Sequence, residues 1–138
     1  MKLAKNILGT VPVLMLLLVT GLVHSDEKTL TAAEITELLT GNTAIGTWPT
    51  WKSSHRYRQY FGEDGSTIYA QQNERSSLGR WRVNSRLNHY ESWWEQSDWG
   101  AGFSIISKEG VYYWVSSTGS IEPQAFEVLR GQQLLWPE

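Results

Sequence analysis

Residues 43–129 alternate apolar and polar side chains with a period of two, and turn-forming residues interrupt the alternation at short intervals. Runs such as Gly62-Glu63-Asp64-Gly65 and Glu109-Gly110 supply the interruptions. Because successive side chains of a strand point to opposite faces, this pattern is typical of short antiparallel strands joined by tight turns. The predicted strands span residues 43–50, 54–61, 66–71, 78–85, 87–94, 101–107, 111–117 and 121–129.

Eight short strands are enough to close a small barrel whose interior holds side chains or one small ligand. Closure would remove the unpaired sheet edges, which a chain without a second layer of structure has no other means of covering. We therefore predict a mainly β fold, a single eight-stranded antiparallel up-and-down barrel. An open β-sandwich is the alternative.

A helical signal precedes the strands. Thr31-Ala32-Ala33-Glu34 forms a capping box, in which the hydroxyl of Thr31 accepts from the backbone of Glu34 and the Glu34 carboxylate reaches back. Gly41 supplies a residue that adopts the left-handed conformation at a helix end. The sequence predicts one short helix over residues 32–40.

The first 25 residues have the features of an export signal. Lys2 and Lys5 precede a nearly unbroken run of apolar and small residues over 7–23. We predict that residues 1–25 are removed and that residues 26–138 form a single domain without stable membrane insertion. An uncleaved membrane anchor is the alternative, but Gly and Pro interrupt the run, which is shorter than the ~20 residues a bilayer span needs.

Composition excludes several classes of protein. The chain has no cysteine, which excludes disulfide scaffolds, thiolate metal sites and cysteine nucleophiles. Charged residues at 19% are too few, and aromatic residues at 12% too many, for a disordered chain. A formal net charge of −2 argues against bulk nucleic-acid binding. A cysteine-free exported chain fits a bacterial periplasm, or secretion from the cell, better than a disulfide-forming pathway.

One motif carries a family resemblance. Gly46-Thr47-Trp48, after a short helix and at the start of the first predicted strand, resembles the Gly-x-Trp element of lipocalin-like (calycin) barrels. The wider layout, with residues 60–65 and 79–81, resembles small exported bacterial proteins, mostly of unknown function. The resemblance implies that Trp48 packs across the closed bottom of the barrel and that Arg130 covers it. A cysteine pair that often follows this element in such proteins is missing here.

Arginine positions help to assign strand faces, because burying an unpaired guanidinium group is costly. If the faces that carry arginine point outward, Tyr57, Gln59 and Trp81 point inward. In the strands at 87–94 and 111–117 both faces carry aromatic residues, so the alternation does not decide between them. The predicted ligand-binding residues are Tyr57, Gln59, Trp81, His89, Glu91, Trp93 and Tyr113.

Eight Trp and six Tyr are a surplus for a barrel of this size. Core filling is one explanation, since aromatic side chains bury large areas and suit strands. A second is an aromatic-lined cavity with a few polar anchors, the usual form of a small-molecule site. The leading hypothesis is accordingly a binding protein for a small, partly apolar ligand.

Two other functions stay open from the sequence. The protein is alternatively a protein-interaction module, such as an envelope accessory protein or a protease inhibitor. Its partner-binding residues would be Trp94, Trp99, Arg56 and Arg58. A glycan-binding or hydrolytic role would use the 93–99 region with carboxylates such as Glu91.

Enzymatic motifs are not evident in the sequence. Only His55 and His89 follow the export signal, and neither stands at a metal-ligand spacing. Glycine-rich phosphate loops and the nucleophile-elbow pattern do not occur. We expect a protein without enzymatic activity, cofactor or metal ion, whose partner is a small molecule or an envelope protein.

Overall fold

The computed structural model describes residues 26–95, 98–100 and 102–137. The predicted export signal in residues 1–25, and the first residue of the strand predicted from 101, lie outside these ranges. Nine strands and one helix form from the described residues. In chain order they are β1 (Glu27–Thr29), α1 (Ala32–Leu39), β2 (Asn42–Pro49), β3 (Ser54–Phe61), β4 (Ser66–Gln71), β5 (Ser77–Asn84), β6 (His89–Trp94), β7 (Phe103–Lys108), β8 (Val111–Ser116) and β9 (Gln124–Arg130).

Strands β2 to β9 form a closed barrel. Each pairs antiparallel with the next in sequence, and β9 returns to pair with β2. The predicted eight-stranded up-and-down barrel is therefore confirmed. Its strands lie close to the predicted ranges, although the last begins at Gln124, three residues later than expected.

β1 is an element that the sequence did not predict. It pairs with the second half of β7, where Glu27 lies opposite Lys108 and Thr29 opposite Ile106. β6 pairs with β7 only at Tyr90 and Phe103. β1 therefore pairs with the part of β7 that β6 does not reach. Three residues are too short to show an alternation, because a period of two needs a longer run to be recognised.

Helix α1 closes one end of the barrel. The predicted capping box is present: the hydroxyl of Thr31 accepts from the backbone N–H of Glu34, and the Glu34 carboxylate accepts from the backbone N–H of Thr31 at 2.9 Å. Ile35 and Leu39 are fully buried against the strands. Burial of two such side chains stabilises the fold by roughly 1.5–3 kcal/mol each. The helix ends where expected, since Gly41 adopts a φ of +72°.

Aromatic side chains fill the barrel beneath the helix. Phe61 is fully buried and meets Trp81 and Tyr90 edge to face, with ring centroids 5.4 and 5.6 Å apart. The indole N–H of Trp81 donates to the carbonyl of Gly62 at 2.9 Å, so this buried donor is satisfied. Packed rings leave the helix end of the barrel solid.

The segment 131–137 crosses the outer face of the barrel. The backbone N–H of Gln133 donates to the hydroxyl of Thr43 at 2.9 Å, and Arg58 donates to the Gln133 carbonyl at 2.8 Å. Arg58 lies on the outer face as the sequence predicted, but it is only 9% exposed because this segment covers it. The ring of Trp136 lies over its guanidinium group at 5.1 Å.

The expected pairing of Trp48 with Arg130 is wrong. Arg130 lies opposite Asn42, the first residue of β2, whereas Trp48 is the seventh residue of that strand. Six residues of strand separate the two positions by ~20 Å. Since the helix packs where β2 begins, Trp48 lies at the opposite end of the barrel from the closed bottom, and Arg130 is exposed.

Candidate functional site

A cavity of about 310 Å³ occupies the barrel end opposite α1. Its position follows from the strand ends that line it, with Trp48 near the end of β2, Ser77 at the start of β5 and Trp94 at the end of β6. The volume falls within the range of small-molecule pockets. The lining residues are Trp48, Tyr57, Gln59, Tyr69, Ser77, Tyr90, Ser92, Trp94, Phe103 and Trp114.

Ring-to-ring contacts hold the cavity wall in shape. Trp48 meets Phe103 edge to face at a centroid distance of 5.5 Å, and Tyr57 stacks on Tyr69 at 5.5 Å. Tyr69 in turn meets Trp94 edge to face at 5.9 Å. Pairs with these geometries are favourable beyond their buried area. The cavity wall is therefore held in shape by contacts between its own side chains.

The glycine of the Gly-x-Trp motif makes room for this wall. A Cβ atom at Gly46 would lie 3.0 Å from the hydroxyl of Tyr57 and 3.0 Å from the carbonyl of Ala125. Both contacts are shorter than ordinary van der Waals distances. The structural reason for a glycine here is therefore the approach of Tyr57, which points into the cavity.

A hydrogen-bond network fixes the side chain of Gln59. Its amide nitrogen donates to the hydroxyl of Tyr90 at 2.8 Å and to that of Thr67 at 3.0 Å. The Thr67 hydroxyl itself donates to the carbonyl of Tyr60 at 2.7 Å. Since its proton is used there, Thr67 can only accept from Gln59, so the amide nitrogen must face Thr67. The orientation of the Gln59 amide is thereby determined.

The cavity carries no formal charge at neutral pH. Its described lining contains no Asp, Glu, Lys or Arg. Burial raises the pKa of Tyr57 and of Tyr69. Burial also raises the pKa of Tyr90 to about 12, although hydrogen bonds with Ser92 and Gln59 act in the opposite direction. These phenols therefore stay neutral and serve as hydrogen-bonding groups.

The structure places only two of the predicted ligand-binding residues in the cavity wall. Tyr57 and Gln59 line the cavity. Trp81 points inward but lies in the packed end, against Phe61. Its indole is therefore part of the core and not of the cavity wall.

The remaining predicted residues lie on the outer face. Because Tyr90, Ser92 and Trp94 line the cavity, alternation along β6 turns the predicted His89, Glu91 and Trp93 outward. Tyr113 is likewise outward, since its neighbour Trp114 lines the cavity. The prediction that these four residues point inward was wrong. Both faces of these strands carry aromatic side chains, so the sequence does not indicate which face is inside. The predicted residues turned outward are His89, Glu91, Trp93 and Tyr113.

Glu91 is held in place on that outer face by two neighbouring side chains. Its carboxylate accepts from Arg82 at 2.7 Å and from Asn84 at 3.0 Å. Burial acts to raise the pKa of Glu91, but the hydrogen bonds from Asn84 and Arg82 outweigh it, and the pKa lies below its ordinary value. The Arg82 guanidinium also lies 3.9 Å from the ring centroid of Trp99. Glu91 thus supports the 98–100 segment and is not free to flank a catalytic groove.

The residues predicted for a protein partner do not form one surface. Trp94 lines the cavity, while Trp99 is half-buried over Arg82 on the outer face. Arg56 is exposed, but Arg58 is buried under the 131–137 segment. The four predicted partner-binding residues therefore do not lie together on one exposed surface.

Several cavity residues were absent from the sequence prediction. Tyr69, Trp114 and Phe103 form much of the wall, and Ser77 and Ser92 add short polar side chains. The same alternation that placed Tyr57 inward in β3 would have found Tyr69 once β4 was paired with β3, since Tyr69 lies opposite Gln59. That pairing register is tertiary information.

Comparison with models of protein families, with curated proteins and with solved structures found no match to this chain. Among the residues that the structure describes, no helix is long and apolar enough to cross a bilayer. The function must accordingly be argued from the chain's own cavity and its chemistry.

Proposed function

We propose that this protein is an exported binding protein that holds a small, partly apolar ligand in the aromatic end of its barrel. One observation carries the proposal: a cavity of about 310 Å³ remains between seven aromatic side chains and three polar ones. Concave, largely apolar sites with a few polar groups are the usual form of small-molecule sites.

The contrast between the two barrel ends supports this function over simple core filling. Under α1 the interior is packed with Phe61, Trp81 and Leu39, which are at most 8% exposed. At the other end seven aromatic side chains surround open volume. Protein interiors otherwise pack to the density of organic crystals, with few voids larger than a water molecule. A cavity of this size is an exception to such close packing, and ligand binding explains why it is present.

The proposal includes export of the protein and its membership of the calycin superfamily. The positive residues and apolar run of the first 25 residues support a periplasmic or secreted location. The eight-stranded barrel, preceded by a short helix, is consistent with a calycin-like protein. Trp48 departs from the pattern of that superfamily, because it lines the open end and not the closed one.

Native mass spectrometry of the protein purified from a native-like host tests for a natural ligand. Excess mass of small-molecule size on residues 26–138 would support the proposal. A bound heterologous protein would instead support the interaction module. The bare mass of the chain, recovered under the gentlest conditions, would count against both.

A binding assay with the uncharged fluorescent probe N-phenyl-1-naphthylamine tests the location of the site. We expect its emission to rise with the unsubstituted protein and not with Ser92→Phe, which fills the cavity from β6. Ser54→Phe is the matched control, because Ser54 is an exposed residue of β3 that does not line the cavity. An equal rise with both variants would place the probe elsewhere.

A further inference from the structure

The uncharged wall of the cavity restricts what it can hold. Its described lining offers rings, hydroxyls and one amide, and no ionised group. Moving an ion from water into such surroundings without a counter-ion is very costly. A charged ligand would therefore be rejected.

Gln59 restricts the ligand further. Its side chain is only 6% exposed, and both of its amide protons are donated, to Tyr90 and Thr67. Within the described part of the chain, no group donates to its Oε1 atom. The atom is not among the fully buried polar atoms that lack a partner, so it is accessible from the cavity. A ligand that covers it must supply a donor, because an acceptor buried without one is costly. An amide oxygen only accepts, which means that the ligand must donate.

The other polar groups of the cavity discriminate less. The hydroxyls of the lining serines and tyrosines can each donate or accept, and that of Ser92 already shares a hydrogen bond with Tyr90. Gln59 cannot rotate its amide, because Thr67 has no proton left to offer it. Gln59 Oε1 therefore differs from the hydroxyls of the described lining, because it can only accept, and it selects a hydroxyl or N–H on the ligand.

The wall also favours aromatic ligands. Seven of the ten described lining residues carry aromatic rings, which pack favourably on other rings in offset-stacked and edge-to-face arrangements. A volume of about 310 Å³ accommodates a ligand of up to three aromatic rings.

We infer that the ligand is an uncharged aromatic molecule of one to three rings that donates a hydrogen bond to Gln59 Oε1. This inference rests on the proposed function and names the class of ligand for the same cavity. Hydroxyl-bearing aromatic rings and neutral heteroaromatic rings with an N–H group satisfy it.

Isothermal titration calorimetry at pH 7 with three naphthalene derivatives tests the inference without any substitution. 2-Naphthol is neutral and donates, 2-methoxynaphthalene lacks the donor, and 2-naphthoate is charged. We expect 2-naphthol to bind about ten-fold more tightly than the methyl ether, the ratio that one hydrogen bond typically contributes. We expect no detectable binding of 2-naphthoate.

Gln59→Met assigns the effect to this residue. The variant removes the acceptor at similar volume, so 2-naphthol should lose about ten-fold in affinity while the methyl ether binds as before. Thr67→Val provides a second route if Gln59→Met fails to fold. It frees the Gln59 amide to rotate, and the preference for 2-naphthol should shrink.

The outcomes separate this inference from the proposed function. Equal affinities of 2-naphthol and its methyl ether, with N-phenyl-1-naphthylamine still binding, would overturn the ligand class and leave the binding barrel intact. Tight binding of 2-naphthoate would overturn the requirement for a neutral ligand. Failure of all three compounds and of the fluorescent probe would overturn both proposals.

Discussion

The indole N–H of Trp114 donates a 2.8 Å hydrogen bond to the hydroxyl of Tyr57, joining β8 to β3 across the barrel interior. Both side chains line the cavity, and they are 4% and 3% exposed. The bond satisfies a donor that is out of reach of bulk water and fixes two large rings of the wall relative to each other. Cavity shape and barrel stability are therefore coupled through this one contact.

Tyr57→Phe should lower the free energy of unfolding by about 1–3 kcal/mol, because it leaves the Trp114 N–H buried without its acceptor. Urea denaturation followed by circular dichroism measures the change. Tyr113→Phe is the control, since Tyr113 lies half-buried on the outer face and should change stability by less than about 0.5 kcal/mol. Equal effects of the two variants would contradict the role assigned to the Tyr57–Trp114 bond.

Gly46→Ala should destabilise the barrel by about 1–3 kcal/mol, in the range of overpacked cores. The added methyl group would press on the Tyr57 hydroxyl and on the Ala125 carbonyl, each 3.0 Å away. Thermal unfolding of this variant is best compared with that of Gly100→Ala, whose new Cβ would meet only an ordinary contact at 3.5 Å. An unchanged melting temperature for Gly46→Ala would show that the wall yields easily at this point.

Glu91→Gln should lower the free energy of unfolding by about 1 kcal/mol at pH 7, a modest value because Arg82 is half-exposed and solvent screens the pair. A carboxyl whose pKa is depressed by folding stabilises the fold above its unfolded pKa, and this contribution is lost as the pH falls. The pKa of Glu91 is lowered from an ordinary value of 4.5.

The stability gap between the unsubstituted protein and Glu91→Gln should therefore shrink as the pH falls below about 4.5. Urea titrations at a series of pH values measure it. Glu37→Gln, on the exposed side of α1, supplies the control and should leave a gap near zero throughout. A gap for Glu91→Gln that is constant from pH 7 to pH 3 would refute the ion-pair explanation.

Trp136→Ala should loosen the 131–137 segment, because the ring lies 5.2 and 5.1 Å from the guanidinium groups of Arg56 and Arg58. The loss of two such contacts corresponds to about 1–2 kcal/mol in unfolding free energy. It should also speed proteolysis of that segment. Trp51→Ala is the matched control, since Trp51 is 89% exposed in the turn after β2. Similar proteolysis of both variants would show that Trp136 does not hold the segment.

Short-range features were predictable because their causes are local. Thr31 and Glu34 form the capping box within one helical turn, and that turn starts the helix wherever the rest of the chain lies. Tyr57 and Gln59 were placed inward because Arg56 and Arg58 occupy the opposite face, where burial without a partner would be costly.

The inward face of β6 was not predictable. Tyr90 and Trp94 on one face, and Trp93 on the other, are equally suited to a core, so hydrophobicity does not choose between them. The choice depends on the register with β5, in which Val83 lies opposite Tyr90 and Arg82 opposite Glu91. A shift of one residue would reverse every side chain on the strand.

The sequence by itself determined the eight strands of the barrel, their turns and the helix, because periodicity, glycines and caps act over a few residues. Only the tertiary structure decided which end of the barrel is filled and which is hollow. That outcome depends on where α1 packs Ile35 and Leu39, and on the approach of Tyr57 to Gly46. An alternation of period two separates two faces but does not say which is inside, and closure of the barrel makes that choice for all strands together.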